Sequence, residues 1–255
     1  MKGFEIDWDR ERRTRVVEAL LCEGKSSAQI VEILGSAKGR RMLLTRLAAE
    51  VFDELPTELR SALDYEPLSR TAILGEPPPQ LESGIGIVCA GTSDLPVGLE
   101  AARTLAFHGH ACTLIADVGV AGLWRLLRRL DEIRGFSVVI AVAGMEGALF
   151  SVLAGLVDSP IVAVPTSVGY GVGAGGQLAL NAALAGCGPG LTTVNIDNGF
   201  GAACAAGRMR RHLIGYAHTK PNQRQKSTSR EFPSVGNAVR IGPSIWIVDT
   251  GEEDS

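Results

Sequence analysis

The chain has 255 residues, 45% hydrophobic and 21% charged, an ordinary globular balance with room for one large or two small domains. A formal charge of −3 and an aromatic content of 5% exclude the basic field and the stacking platform of a nucleic-acid binder, and no apolar run reaches the ~20 residues of a membrane span. Five cysteines without CxxC spacing, behind a charged start (MKGFEIDWDRERR) where a secretory signal would be apolar, imply reduced thiols in the cytoplasm.

Residues 1–80 are expected to form a small helical domain. Glu11–Glu23, Ser27–Leu34 and Arg40–Asp53 carry apolar residues at three- and four-residue spacing. Ser26-Ser27 is a helix start, Gly24 and Gly35 are stops, and nothing here has catalytic spacing. Glu76-Pro77-Pro78-Pro79 cannot continue a helix and reads as a linker. From 81 to 219, short apolar runs alternate with helical stretches. Ile85–Ala90 precedes Pro96–His108, Cys112–Val118 precedes Ala121–Arg134, and Ser137–Ala143 precedes Glu146–Leu156. Ile161–Pro165 then precedes Gly175–Ala185, and Leu191–Ile196 precedes Gly201–His212. That alternation predicts an α/β domain, a doubly wound parallel sheet in three layers, with its ligand beyond the carboxyl ends of the strands. Residues 220–255 form a tail. Lys220–Arg230 is polar and basic, as in a disordered segment, and Val239–Val248 carries a weak strand signal. That signal fits an added edge strand, a segment packed on a neighbouring subunit, or an ordered piece without function.

The candidate chemistry sits at the predicted strand ends. After the first strand come Ala90-Gly91-Thr92-Ser93-Asp94-Leu95-Pro96, whose free N–H groups at a helix start make an anion site, with Asp94 a plain helix cap in the simpler reading. It is neither a Walker loop nor GxGxxG. The third strand ends in Gly144-Met145-Glu146-Gly147, a carboxylate facing the crevice or resting on a helix dipole. The fourth ends in Thr166-Ser167-Val168-Gly169-Tyr170-Gly171, opening a run with five glycines in eight residues that can wrap a ligand. Cys187, between Gly186 and Gly188, is poorly shielded and open to reaction, although a buried inert thiol is the commoner fate. Asn195, Asp197 and Asn198 follow the fifth strand, where they read hydroxyls and amides or cap the next helix. Cys204 lies among alanines and reads as packing. The histidines lack metal-ligand spacing and no GxSxG elbow occurs, so no metal site is expected.

The strings GTSDLPVGLEAA, AGMEGALFSVLAG, VPTSVGYG and NIDNGFGAA resemble the LarB family, the pyridinium-3,5-biscarboxylic acid mononucleotide synthases of nickel-pincer nucleotide biosynthesis. The carboxyl-terminal domain resembles the aminoimidazole ribonucleotide carboxylase (PurE-type) fold. The match covers roughly Phe4 to Met209, and NIDNGFGA with SVGYG is its specific part. The resemblance implies that nicotinic acid adenine dinucleotide is carboxylated with CO2 at C5 of its pyridinium ring and then hydrolysed at its phosphoanhydride. It implies Cys187 as nucleophile, with Cys204 the alternate, and Glu146 as base for the C5 proton. Gly91, Thr92, Ser93 and Asp94 match the phosphate and ribose loop. Gly144, Ser167, Gly169, Tyr170 and Gly171 match further substrate loops, and Asn195, Asp197 and Asn198 line the base of the pocket. No tightly bound cofactor is implied. Mg2+ suits the pyrophosphate charge, and a homo-oligomer is the family's habit. The purine carboxylases carry a histidine in an AHLPG-like segment, whereas GMEGALFS here has none, which weighs against aminoimidazole ribonucleotide as substrate. A non-catalytic nucleotide-binding regulator is the third reading. It would keep the Thr92-Ser93-Asp94 loop and need no thiol.

Overall fold

The structure, a computed structural model, describes residues 3–219, 238–241 and 245–248. Its amino-terminal part is mixed rather than helical. In chain order it contains α1 (Arg10–Thr14), β1 (Ala19–Leu21), α2 (Ser27–Gly35), β2 (Met42–Thr45), α3 (Ala49–Asp53), α4 (Thr57–Ala62), β3 (Leu63–Glu66) and β4 (Thr71–Leu74). The strands form one sheet in the order β1-β2-β4-β3. Of the three expected helices only α2 stands as read. Ser26 accepts from the Gln29 N–H at 3.3 Å while its own N–H donates to Gln29 Oε1 at 2.9 Å, a reciprocal cap, and Ile30, Ile33 and Leu34 are buried. Glu11–Glu23 divides into the end of α1 and β1, and Arg40–Asp53 was misread because β2 has no polar face. Leu44 enters the amino-terminal core beside Ile30, while Leu43 joins Ile73 and Phe107 on the other side. A strand buried on both faces shows neither alternation nor a polar stripe, so spacing alone cannot separate it from a helix.

After the irregular stretch 76–80, the second part runs β5 (Leu81–Cys89), α5 (Leu95–Phe107), β6 (His110–Ile115), α6 (Leu123–Arg128), α7 (Leu130–Arg134), β7 (Val138–Ala143), α8 (Ala148–Leu156), β8 (Ile161–Pro165), α9 (Gln177–Ala185), β9 (Leu191–Thr193) and α10 (Gly199–Thr219). The expected units are all present, and their strands are parallel neighbours in the order β6-β5-β7-β8-β9. Alternation within β5 feeds two cores. Ile85, Ile87 and Cys89 meet α5 and α10, while Val88 belongs with Leu126, Leu149 and Phe150 on the opposite face. A hairpin, β10 (Ala238–Ile241) and β11 (Ile245–Val248), extends the sheet, with β11 parallel to β6. Of the three readings left open for this segment, the added edge strand is the one observed. Lys220–Arg230 lies outside the described residues.

The pairing register brings the strand ends into line. Cys89 faces Val142, and Ala143 faces Pro165. The loops after β5, β7, β8 and β9 therefore leave the same sheet edge side by side, with the topological reversal between β5 and β7. The two parts are joined at α5. Arg103, buried, donates from Nε to Thr71 Oγ1 at 2.8 Å and pairs with Asp64 at 3.0 Å. Val17 N–H donates to His108 Nε2 at 3.2 Å while His108 Nδ1 contacts the Thr104 carbonyl at 2.8 Å. The two contacts together demand the neutral Nδ1–H tautomer, and burial lowers the pKa of His108 in the same sense.

Candidate active site

Asp94 is the clasp of the strand-end loops. It is 3% exposed and makes no side-chain cap on α5, so the simple cap reading does not hold. Its carboxylate accepts from the Gly91 N–H at 2.9 Å and from Thr166 Oγ1 at 2.7 Å, and the Gly144 N–H also donates to it. One side chain thus joins the loops after β5, β7 and β8. Burial raises its pKa against the opposing effect of these three donors, and the nearby Asp197 pushes it the same way as burial. Thr92 and Ser93 remain exposed on the preceding turn, available to a ligand.

The loop after β7 lies tight against the loop after β8. Met145 N–H donates to the Val168 carbonyl at 2.8 Å, and a Cβ on Gly144 would stand 2.2 Å from that same oxygen. Met145 (φ 49°) and Gly147 (φ 65°) are both left-handed, a backbone that turns Glu146 outward, where it is exposed. Asp197 (φ 54°) is the second clasp. Its Oδ1 accepts from the Ser167 N–H at 2.8 Å and its own N–H donates to the Pro165 carbonyl at 2.9 Å. Gly169 and Gly171 bracket Tyr170, which is 78% exposed over this edge. Asn198 caps α10, its Oδ1 accepting from Gly201 N–H at 2.7 Å, while the Oδ1 of exposed Asn195 accepts from Ile196 N–H at 2.9 Å.

Three contributors escaped the sequence reading. Thr166 serves Asp94. Glu100, buried on α5, accepts from Phe200 N–H at 3.3 Å and from Gly199 N–H, so the amino terminus of α10 is already satisfied by a carboxylate of the protein. Burial raises the Glu100 pKa, with Arg46 and Arg70 opposing. A glutamate inside PVGLEAARTLAF was the available signal for it. The third is Arg46, from the loop after β2, whose Nη2 donates to the Asp197 carbonyl at 3.0 Å.

Cys187 does not join this cluster within one chain. α9 starts at the strand-end edge, where Gly176 approaches the Thr166 carbonyl, and runs back along the sheet for on the order of 13 Å. Cys187 follows it, close to the point where the Gly190 carbonyl accepts from Ile161 N–H at the start of β8. It is the one exposed thiol of the five. Cys204 faces away from the loops, toward Arg15 and His110, and burial pushes its thiol up to about 12. A cavity of about 650 Å³ opens at the far end of α5 from Asp94, lined by Trp8, Glu11, Arg12, Arg15, His108 and Arg211. Among the described residues no group of three or more His, Cys, Asp or Glu side chains could hold a metal ion, and no helix is long and apolar enough to cross a membrane.

A doubly wound sheet with glycine-rich, hydroxyl-bearing loops clasped by aspartates at its strand ends defines an α/β protein of the nucleotide-site class. Residues 84–230 match the family described as AIR carboxylase, and residues 1–76 match the LarB/PurE-like N-terminal domain. The chain is 36% identical over 215 residues to the uncharacterized protein MJ0165 of Methanocaldococcus jannaschii, covering 80% of this chain and 82% of that one. The chain belongs to the LarB family, with a PurE-like domain. Its function is accordingly of the carboxylase type found in the AIR carboxylase superfamily, with a nucleotide-related substrate and CO2.

Proposed function

We propose that the protein carboxylates the pyridinium ring of nicotinic acid adenine dinucleotide at C5 and hydrolyses the phosphoanhydride, releasing AMP and the biscarboxylated mononucleotide. The observation that carries the choice is Glu146, an exposed carboxylate on the strained turn after β7, in the segment where the purine carboxylases place a histidine. A pyridinium ring is electron-poor and does not attack CO2. The Cys187 thiolate adds to the ring, forming a C–S bond and a neutral dienamine. C5 then attacks CO2, Glu146 takes the C5 proton, and expulsion of the thiolate restores aromaticity. Thr92 and Ser93 offer N–H and hydroxyl donors to a phosphate at the start of α5, while the Gly91 N–H is engaged by Asp94. Mg2+ accompanying the substrate would neutralise the pyrophosphate charge during hydrolysis.

Because Cys187 lies away from the loops of its own chain, the proposal places it in the site of a second copy. Two features support a homo-oligomer. Leu123, Trp124 and Leu127 on α6 and Leu178 and Leu184 on α9 are exposed apolar side chains on one side of the sheet. Cys187 follows the exposed end of α9 and would travel with such a contact.

Incubation with the dinucleotide, bicarbonate and Mg2+, followed by mass spectrometry, tests the reaction. AMP and a mononucleotide heavier by one carboxyl group, absent with Cys187→Ala, support it, and binding without turnover would leave a regulator instead. Mixing inactive Cys187→Ala with inactive Glu146→Gln should restore part of the activity if the two residues come from different chains. Aminoimidazole ribonucleotide, the second reading, is separated by offering it in place of the dinucleotide.

A further inference from the structure

The strand-end loops 90–94, 144–147, 166–171 and 194–198 contain no lysine or arginine, yet carry Asp94, Glu146 and Asp197. A phosphate-bearing substrate approaching them meets backbone donors and negative charge. Within the same domain Arg125 is paired with Asp117 in the loop after β6, and a cation of the other domain reaches these loops directly. Arg46 and Arg70 both hold left-handed backbone (φ 53° and 52°), and the two loops are tied by the Leu47 N–H donating to the Arg70 carbonyl at 2.8 Å. Arg46 Nη1 donates to Glu23 Oε2 at 2.9 Å, and its Nη2 reaches across to the Asp197 carbonyl at 3.0 Å. That carbonyl belongs to the residue whose carboxylate holds the Ser167 N–H. A planar guanidinium with five donors can serve both partners and keep donors free.

We infer that Arg46 is a positioning residue for the nucleotide loops, so that the amino-terminal domain is a working part of the site. Glu23 aims the guanidinium, Arg46 holds the Asp197 backbone in its left-handed turn, and Asp197 in turn holds Ser167. The charge of Arg46 also offsets the acidic edge toward a phosphate. The inference rests on the nucleotide reading above and extends it to a domain whose sequence has no catalytic spacing.

Full-length Arg46→Gln and Arg46→Lys are compared with wild type. The measurements are backbone hydrogen exchange over 166–171 and 195–199, and steady-state kinetics with nicotinic acid adenine dinucleotide. In Arg46→Gln, exchange in both loops should rise about tenfold and the nucleotide KM should rise about tenfold with a smaller fall in kcat. Arg46→Lys, which keeps the charge and one donor, should recover part of the KM. Unchanged exchange in a folded Arg46→Gln protein overturns the inference. Faster exchange with unchanged KM and kcat also overturns it, leaving a tether between domains. If wild type turns over no pyridinium nucleotide, the functional reading fails by itself, and exchange alone then decides the role of Arg46.

Discussion

Gly144→Ala is the sharpest perturbation of the loop architecture. The added methyl would stand 2.2 Å from the Val168 carbonyl oxygen and 2.7 Å from Thr166 Oγ1. Neither is the end of a flexible side chain, since one is backbone and the other is held by Asp94. Carbon–oxygen contacts run at about 3.3 Å, so relief requires a displacement of about 1 Å. The same displacement stretches the 2.8 Å bond from Met145 N–H to Val168 past useful hydrogen-bonding range. Overpacking costs about 1–3 kcal/mol and the lost bond about 1 kcal/mol, together a fall in Tm on the order of 5–10 °C. Misplacing the Glu146 and Ser167 loops by about 1 Å should lower kcat/KM about 100-fold. Thermal unfolding and steady-state turnover, measured on the same preparation, read both effects. A Gly144→Ala protein with the Tm and turnover of wild type would refute the claim that this close approach sets the loops.

Three other perturbations follow from individual environments. His108 is held neutral by its two contacts and its folded pKa is lowered, so the unfolded chain takes up a proton below about pH 6.5 that the folded chain resists. Its contribution is present above that pH and is lost as pH falls, so Tm should drop more between pH 7.5 and 5.5 in wild type than in His108→Gln, and parallel curves would contradict this. Cys187 should react first and with one equivalent of a thiol reagent at neutral pH, since Cys204, like Cys22 and Cys112, is pushed up to about 12 by burial; peptide mapping that finds Cys204 labelled ahead of it would reverse the assignment. Ser26→Ala removes the cap of α2 and should cost about 1 kcal/mol without altering turnover, as thermal unfolding and kinetics together would reveal.

The parallel sheet was legible because its central strands are buried on both faces and helices separate them in the chain. Ile85 to Val88 and Val138 to Ala143 admit little else. The amino-terminal sheet was not legible, because Met42 to Thr45 is equally continuous but lacks the flanking alternation that identified the others. At the site, the glycine, hydroxyl and carboxylate residues announced themselves by composition at the strand ends. Their partners did not, since Thr166 and Asp94 lie 72 residues apart and Arg46 and Asp197 lie 151 apart.

The sequence by itself determined the layer architecture of the parallel-sheet domain, the sheet edge where the candidate residues gather, and the family to which the chain belongs. Those follow from local hydrophobic period and short contiguous motifs. Only the tertiary structure decided that Asp94 and Asp197 are clasps rather than caps, that Glu100 occupies the amino terminus of α10, and that Cys187 is separated from Glu146 within one chain. Each of these depends on which distant strands become neighbours and on the direction in which a helix runs back along the sheet. Pairing of that kind is settled by the shared burial of the whole core, which no local stretch of residues encodes.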